Sequence, residues 1–436
     1  MNISILIRAK KYLVHPIARN VVSLYALQWA GYVIPLLTLP YLARVLRPQG
    51  FGLLLFSQSY AIWASLLIEY GFNYSATRDV ARARDNEGAL TQIAASVLGA
   101  KLLLFSSIVV ISVTAILCVP IFRTHPIYLL CTLPQILAGG FSPFWYFQGT
   151  ELMVRVISVE FSARVLFTSL IFLAVHNSGD GWKALLLQGC AGCSSTLITT
   201  LLMYREIAFA RPRWPKSREA LRDGWSMFLF RGSYSIFATA NAFILGLMAS
   251  PVQVGLYGGG ERIARAMQSQ ITPMTQAFYP RISHMFLKSE ASAKRMARMV
   301  IGISGFAGLL LGLGLALLAH PLTRILLGPG YDGSVTVVRV FALLLPISSL
   351  NNGLIMHWML PQRMDSKASR SIQGAIVVNV AAAVLLAPKF AHVGMAFAVL
   401  AAETFMLATI VVILVRSGTV SRAGGGNKTQ NPVELA

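Results

Sequence analysis

Twelve apolar runs, each close to the ~20 residues that an α-helix needs to cross the hydrocarbon core of a bilayer, dominate this chain. They lie near 20–43, 51–74, 91–119, 127–147, 154–175, 182–204, 225–249, 254–278, 299–319, 335–360, 371–388 and 392–415. Only 12% of the 436 residues are charged, about half the ~25% of an ordinary soluble domain. A globule of this size could not be coated with so few polar groups, which excludes a cytosolic enzyme, a secreted disulfide scaffold and a disordered chain. In lipid every backbone polar group must be satisfied internally, and runs of this length do that as helices. The fold class is therefore an all-α integral membrane protein of about twelve transmembrane helices. Pro35, Pro40, Pro134, Pro143, Pro273 and Pro346 pierce the runs, which membrane helices tolerate when neighbours re-satisfy the freed groups.

The basic residues orient the spans. Lys and Arg total 37 against 16 Asp and Glu, a formal charge of +21. With the N-terminus placed in the cytoplasm, 25 of the 37 fall in cytoplasmic segments. Six fall in outer loops (Arg44, Arg47, Arg123, Lys183, Arg324 and Lys389) and six inside spans. Positively charged loops stay cytoplasmic, so this asymmetry accounts for most of the excess without nucleic acid as a partner. Both termini are then cytoplasmic. The expected organisation is a basic segment over 1–19, an N-terminal lobe over 20–204, a basic linker over 205–224, a C-terminal lobe over 225–415 and a tail over 416–436. The first segment carries Arg8, Lys10, Lys11 and Arg19 without a long apolar core, unlike a cleavable signal peptide.

A short repeat links the lobes. Pro48-Gln49-Gly50-Phe51-Gly52-Leu53 stands between spans 1 and 2, and Pro251-Val252-Gln253-Val254-Gly255-Leu256 stands 203 residues later, between spans 7 and 8. Both read Pro-x-x-x-Gly-Leu at the same topological point. Six spans per lobe bring both lobes in from the same side, so they are expected as parallel repeats about a pseudo-two-fold axis along the membrane normal. Two such lobes rocking about a central cleft have the geometry of a transporter.

Charged groups inside a bilayer are costly and mark cavities or pairs. Here they are Lys101, Arg164, Arg231, Arg262, Arg265 and Arg339, with Glu69, Glu160, Glu261 and Glu403. Glu160 with Arg164 and Glu261 with Arg265 stand i,i+4 and can neutralise each other locally. Arg231 lies near enough to a span end to snorkel, while Lys101 and Glu403 lie near mid-depth and could pair. The six bases are the candidate lining of a cationic cleft, since arginine grips phosphate oxygens in bidentate fashion. Glu69, Glu403 and Glu261 are the candidate sites for coupling to a proton or sodium gradient. No nucleotide loop, catalytic constellation, metal site or cofactor motif is present. Cys190-x-x-Cys193 reads as helix packing, a Cys118–Cys131 disulfide is a minor alternative, and the seven histidines read as structural. Trp145, Tyr146, Trp182 and Trp358 read as interfacial belt residues, with a sugar-stacking lining as the sharper alternative.

Four stretches resemble the bacterial polysaccharide (O-antigen type) flippases of the multidrug/oligosaccharidyl-lipid/polysaccharide exporter superfamily. They are Leu39-Pro40-Tyr41-Leu42-Ala43-Arg44 running on to Phe56-Ser57-Gln58-Ser59, Tyr70-Gly71-Phe72-Asn73 followed by Ala76-Thr77-Arg78-Asp79, Trp145-Tyr146-Phe147-Gln148-Gly149-Thr150-Glu151, and Val254-Gly255-Leu256-Tyr257 with Glu261-Arg262-Ile263 and Ala277-Phe278-Tyr279-Pro280-Arg281. They occur across both lobes in the family's order, with Gly258-Gly259-Gly260 as a departure toward smaller residues. The resemblance implies movement of an oligosaccharide on undecaprenyl diphosphate from the inner to the outer leaflet. It also implies a cationic lumen, no enzymatic step, and a polysaccharide polymerase and chain-length regulator as partners. The alternatives are a drug or organic-cation exporter of the same superfamily, which would want an acidic lumen, and a membrane polymerase or ligase, which would want a sizeable outer loop.

Overall fold

The computed structural model describes residues 16–417, and its described residues are helical throughout, with no strand. The basic N-terminal segment and the tail beyond Ser417 lie outside them. The helices, in chain order, are α1 Pro16–Glu69, α2 Phe72–Arg82, α3 Glu87–Cys118, α4 Pro120–Thr124, α5 Pro126–Phe141, α6 Phe144–Gly149, α7 Met153–Ala174 and α8 Gly181–Glu206. They continue with α9 Trp214–Thr239, α10 Asn241–Met248, α11 Pro251–Gln268, α12 Thr272–Lys288, α13 Glu290–Leu317, α14 Ala319–Leu326, α15 Asp332–Leu354 and α16 Asp365–Arg416. A π-turn at Ile355–Met359 extends α15.

Two of these elements are each a pair of helices joined across a sharp break. In α1 the break is at Arg47 (φ 56°, ψ 173°), between the first and second apolar runs. In α16 it is at Ala391 (φ 47°, ψ −123°), between the last two. Elsewhere proline starts helices where its missing N–H costs nothing, as Pro120, Pro126 and Pro251 do for α4, α5 and α11. Ser142 and Pro143 separate α5 from α6.

Eight stretches among the described residues are long and apolar enough to cross a membrane, fewer than the twelve expected. Part of the difference is that the last two runs count once, as Asp365–Arg416, and that the count begins at Leu37, within the first run. Among the rest, α10 is only eight residues long, and α11 carries Glu261, Arg262 and Arg265. Large apolar side chains such as Leu117 on α3, Leu173 on α7, Leu313 on α13 and Leu385 on α16 face outward, as a lipid-facing exterior requires.

The core divides unevenly. One cluster draws on both halves of the chain, joining Leu42, Phe51, Phe56 and Tyr128 to Leu245, Val254, Tyr257, Tyr331 and Phe341. A second cluster is built around Phe72, Val80, Trp145, Tyr146 and Met203 of the first half. A third is built around Ile282, Val300, Trp358, Met359 and Ile410 of the second. The halves thus share a core at the end bearing Phe51 and Val254 and keep separate cores at the other. The segment 205–224 is less of a loop than the sequence suggests. Helix α8 runs to Glu206 and α9 begins at Trp214, with Ser217 buried against Gly99 of α3.

Candidate functional site between the two halves

At the shared end the two Pro-x-x-x-Gly-Leu motifs meet. A Cβ placed on Gly52 would stand 1.7 Å from the Pro251 carbonyl oxygen, and one on Gly255 would stand 2.1 Å from the Pro48 carbonyl oxygen. Only glycine allows so close a backbone approach, so each motif supplies both the groove and the ridge. Further bonds cross the same seam. The Tyr331 hydroxyl donates to the Ala43 carbonyl at 3.0 Å, and the Arg44 guanidinium donates to the Ile325 carbonyl. Within the second half His392 Nδ1 is hydrogen-bonded to Gln253 Oε1.

Beneath this seal lies Arg262. Its Nη2 donates to Gln58 Oε1 at 2.6 Å, a bond from α11 of the second half to α1 of the first, and its guanidinium lies 5.5 Å from the Phe51 ring centroid. The Gln58 amide donates in turn to Gln188 Oε1 on α8. One turn along α11, Arg265 makes two bonds to Glu261 Oε1, at 2.8 and 3.0 Å. Glu403 on α16 is near enough to act electrostatically on Arg265, and it accepts from Asn351 Nδ2 at 2.7 Å. Gln268 extends the polar strip by donating to Ser348 Oγ at 2.8 Å. The result is a guanidinium shared between the halves, beside a polar strip formed by α11, α15 and α16.

The remaining predicted residues stand elsewhere. Lys101 is buried, and its Nζ donates to the Ser142 carbonyl at 3.2 Å, where the break between α5 and α6 leaves backbone acceptors without helical partners. It therefore does not pair with Glu403. Glu69 accepts from the backbone N–H groups of Asn73 at 2.9 Å and Gly71 at 3.4 Å, so its carboxylate serves the first turn of α2. Arg164 bonds Glu160 at 2.7 Å, with both side chains half-exposed. Arg339 is exposed and lies on the face of α15 away from Val337 and Phe341, which touch Gly260 and Tyr257 of α11. Arg231 lies in α9, and its side chain is outside the described residues.

Other expectations shift as well. Trp145, Tyr146 and Trp358 are packed inside the protein rather than arrayed at an interface: each sits where a helix break turns the chain inward. All four cysteines are free. Among the described residues no group of His, Cys, Asp and Glu could hold a metal ion. Gln58 and Gln188 carry no charge, so the only sign of their role in the sequence is a glutamine inside an apolar span.

Comparison with known proteins agrees with this architecture. Residues 17–286 match the family model described as polysaccharide biosynthesis protein. A protein of Escherichia coli (strain K12) named "Putative O-antigen transporter" is 28% identical over 401 residues, covering 92% of this chain and 96% of its own length. Among solved structures, the lipid II flippase MurJ in an inward closed conformation superposes with a TM-score of 0.70 at 10% identity, over 90% of this chain and 87% of its own. An inward-facing multidrug resistance MATE family transporter of the MOP superfamily superposes with a TM-score of 0.61 at 12% identity, over 90% of this chain and all of its own. The chain has the all-α fold of these membrane transporters, it is a transporter and not an enzyme, and it belongs to the polysaccharide biosynthesis protein family.

Proposed function

We propose that this chain carries an oligosaccharide repeat unit linked to undecaprenyl diphosphate from the inner to the outer leaflet of the bacterial cytoplasmic membrane, for O-antigen or a related polysaccharide. Two six-helix halves alternate in access, and Arg262 with Arg265 receives the diphosphate while the prenyl chain stays in lipid. The observation that carries this reading is the placement of Arg262 on α11, bonded across the seam to Gln58 of α1. A guanidinium there has donors to spare for phosphate oxygens, and it lies where both halves can respond to what it binds. The membrane relative named for O-antigen transport supports the same substrate class.

The positive-inside pattern supports an outer position for the Gly52–Gly255 seal, with access from the cytoplasmic side at the end of the separate cores. Glu261, bonded to Arg265, and Glu403, whose charge acts on Arg265, are the candidate groups for coupling to a proton or sodium gradient. Reconstitution tests the reading. Proteoliposomes loaded with undecaprenyl-diphosphate oligosaccharide should expose inner-leaflet sugars to an external galactose oxidase or lectin when wild-type protein is present. Exposure no faster than in protein-free vesicles would contradict it.

A further inference from the structure

Arg262 and Gln58 make an unequal pair. A guanidinium bonded to a neutral amide is held less strongly than one bonded to an anion, because an anionic acceptor adds the attraction of a full opposite charge and can accept two parallel bonds. The bond nonetheless ties α11 to α1 at 2.6 Å. Arg262 stands seven residues, two helical turns, from Gly255 on nearly the same face, ~10 Å along the axis. It therefore sits just below the seal made by Gly52 and Gly255. Gln58 has a second partner within its own half, Gln188, so losing Arg262 does not leave it stranded. Arg265, by contrast, is engaged by Glu261 on its own helix. The Arg262 bond thus crosses the halves.

We propose that the Arg262–Gln58 hydrogen bond is a latch between the halves, and that a prenyl diphosphate releases it by taking the guanidinium away from Gln58. Gln58 is then a positioning residue that makes opening of the seal depend on the ligand. This inference rests on the reading of Arg262 as an anion-binding residue, and the test separates the two.

In a protein whose Cys118, Cys131, Cys190 and Cys193 are replaced by serine, spin labels on Gln49→Cys and Val252→Cys report the width of the seal; both positions are exposed. Electron–electron distances are measured in proteoliposomes with farnesyl diphosphate as the probe and farnesol as its uncharged control. Farnesyl diphosphate should raise the ratio of long to short distances about tenfold in the wild-type background, and farnesol should leave it unchanged. Gln58→Leu should give the long distance without ligand and respond little further. Gln58→Glu should stay short with and without the diphosphate, since a carboxylate holds Arg262 more firmly. Calorimetric binding is measured in parallel on wild type and Arg262→Ala. Binding that depends on Arg262 with no change in distance overturns the latch and leaves the anion site standing. A Gln58→Leu protein that keeps the short distance also overturns the latch. Failure of the wild type to bind farnesyl diphosphate overturns the anion site, and the latch with it.

Discussion

Gly52 and Gly255 are packed reciprocally: each lies against the carbonyl oxygen of the proline that begins the other's motif, and a Cβ on either would come within 1.7 or 2.1 Å of that oxygen. Such exchange of equivalent contacts is what two related surfaces produce when they meet about a two-fold axis. The repeat in the sequence is thus also a contact in the structure. A transporter that closes at this end must bring two backbones together, which neither motif could do with a side chain at these positions.

A single methyl group should therefore act on the seal. Gly52→Ala and Gly255→Ala should each be made and inserted yet fail to restore polysaccharide export in a null strain, with thiol reagents reaching a cysteine at Val254 faster than in the parent. Gly302→Ala is the control, because a Cβ there meets nothing within 4 Å. Normal export by both seal variants would show that close approach at this end is dispensable.

The charge and shape of Arg262 should both matter. Arg262→Ala should abolish export, and Arg262→Lys should restore little of it, since an ammonium cannot make the paired bonds of a planar guanidinium. Arg164→Ala, which removes only a surface pair with Glu160, should cost less than twofold in export rate, in line with the ~0–1 kcal/mol of exposed ion pairs. Export assays normalised to protein in the membrane decide this, and equal losses at both positions would argue against a site at Arg262.

Glu69 should behave as a helix cap. Glu69→Gln keeps a carbonyl oxygen for the Asn73 N–H and should retain export. Glu69→Ala should cost about 1 kcal/mol of stability, seen as earlier thermal unfolding in detergent. Loss of gradient-driven export in Glu69→Gln, with stability intact, would instead assign Glu69 to coupling.

Much of the fold was legible because the bilayer restricts the solutions to runs of apolar residues, and the breaks at Arg47 and Ala391 fall between runs that read separately. The run over 254–278 was legible too, although its three charges keep α11 out of the set of long apolar helices. The site was half legible. Charges in a spanning segment stand out, so Arg262, Arg265, Glu261 and Glu403 were found, but their partners are neutral: Gln58, Gln188 and Asn351. Which bases share the seam was not legible either, because Lys101 and Arg339 differ from Arg262 only in the direction their helices face. That is set by packing between elements far apart in sequence.

The turn before α8 should carry a pH signature. Asp180 accepts from Lys183 at 2.8 Å and from the backbone N–H groups of His176 and Asn177 at 3.1 and 3.0 Å. These bonds, the Lys183 bond foremost, hold its carboxyl down at about 2. A carboxylate whose folded pKa is depressed stabilises the fold above its unfolded value of ~4, and loses that contribution as pH falls toward the folded value. Asp180→Asn should therefore melt a few degrees below wild type from pH 5 to 8, with the gap narrowing below pH 4. A gap that stays constant into acid would mean that the charge of Asp180 contributes nothing.

Translocation itself is tested most directly by the membrane face on which lipid-linked oligosaccharide collects when the protein is absent. Inverted and right-side-out vesicles from a deletion strain distinguish the two faces. Undecaprenyl-linked repeat units should accumulate on the inner face, and wild-type protein should relieve this where Arg262→Ala does not. Accumulation on the outer face would mean that transfer had proceeded without this protein and that a later assembly step had failed.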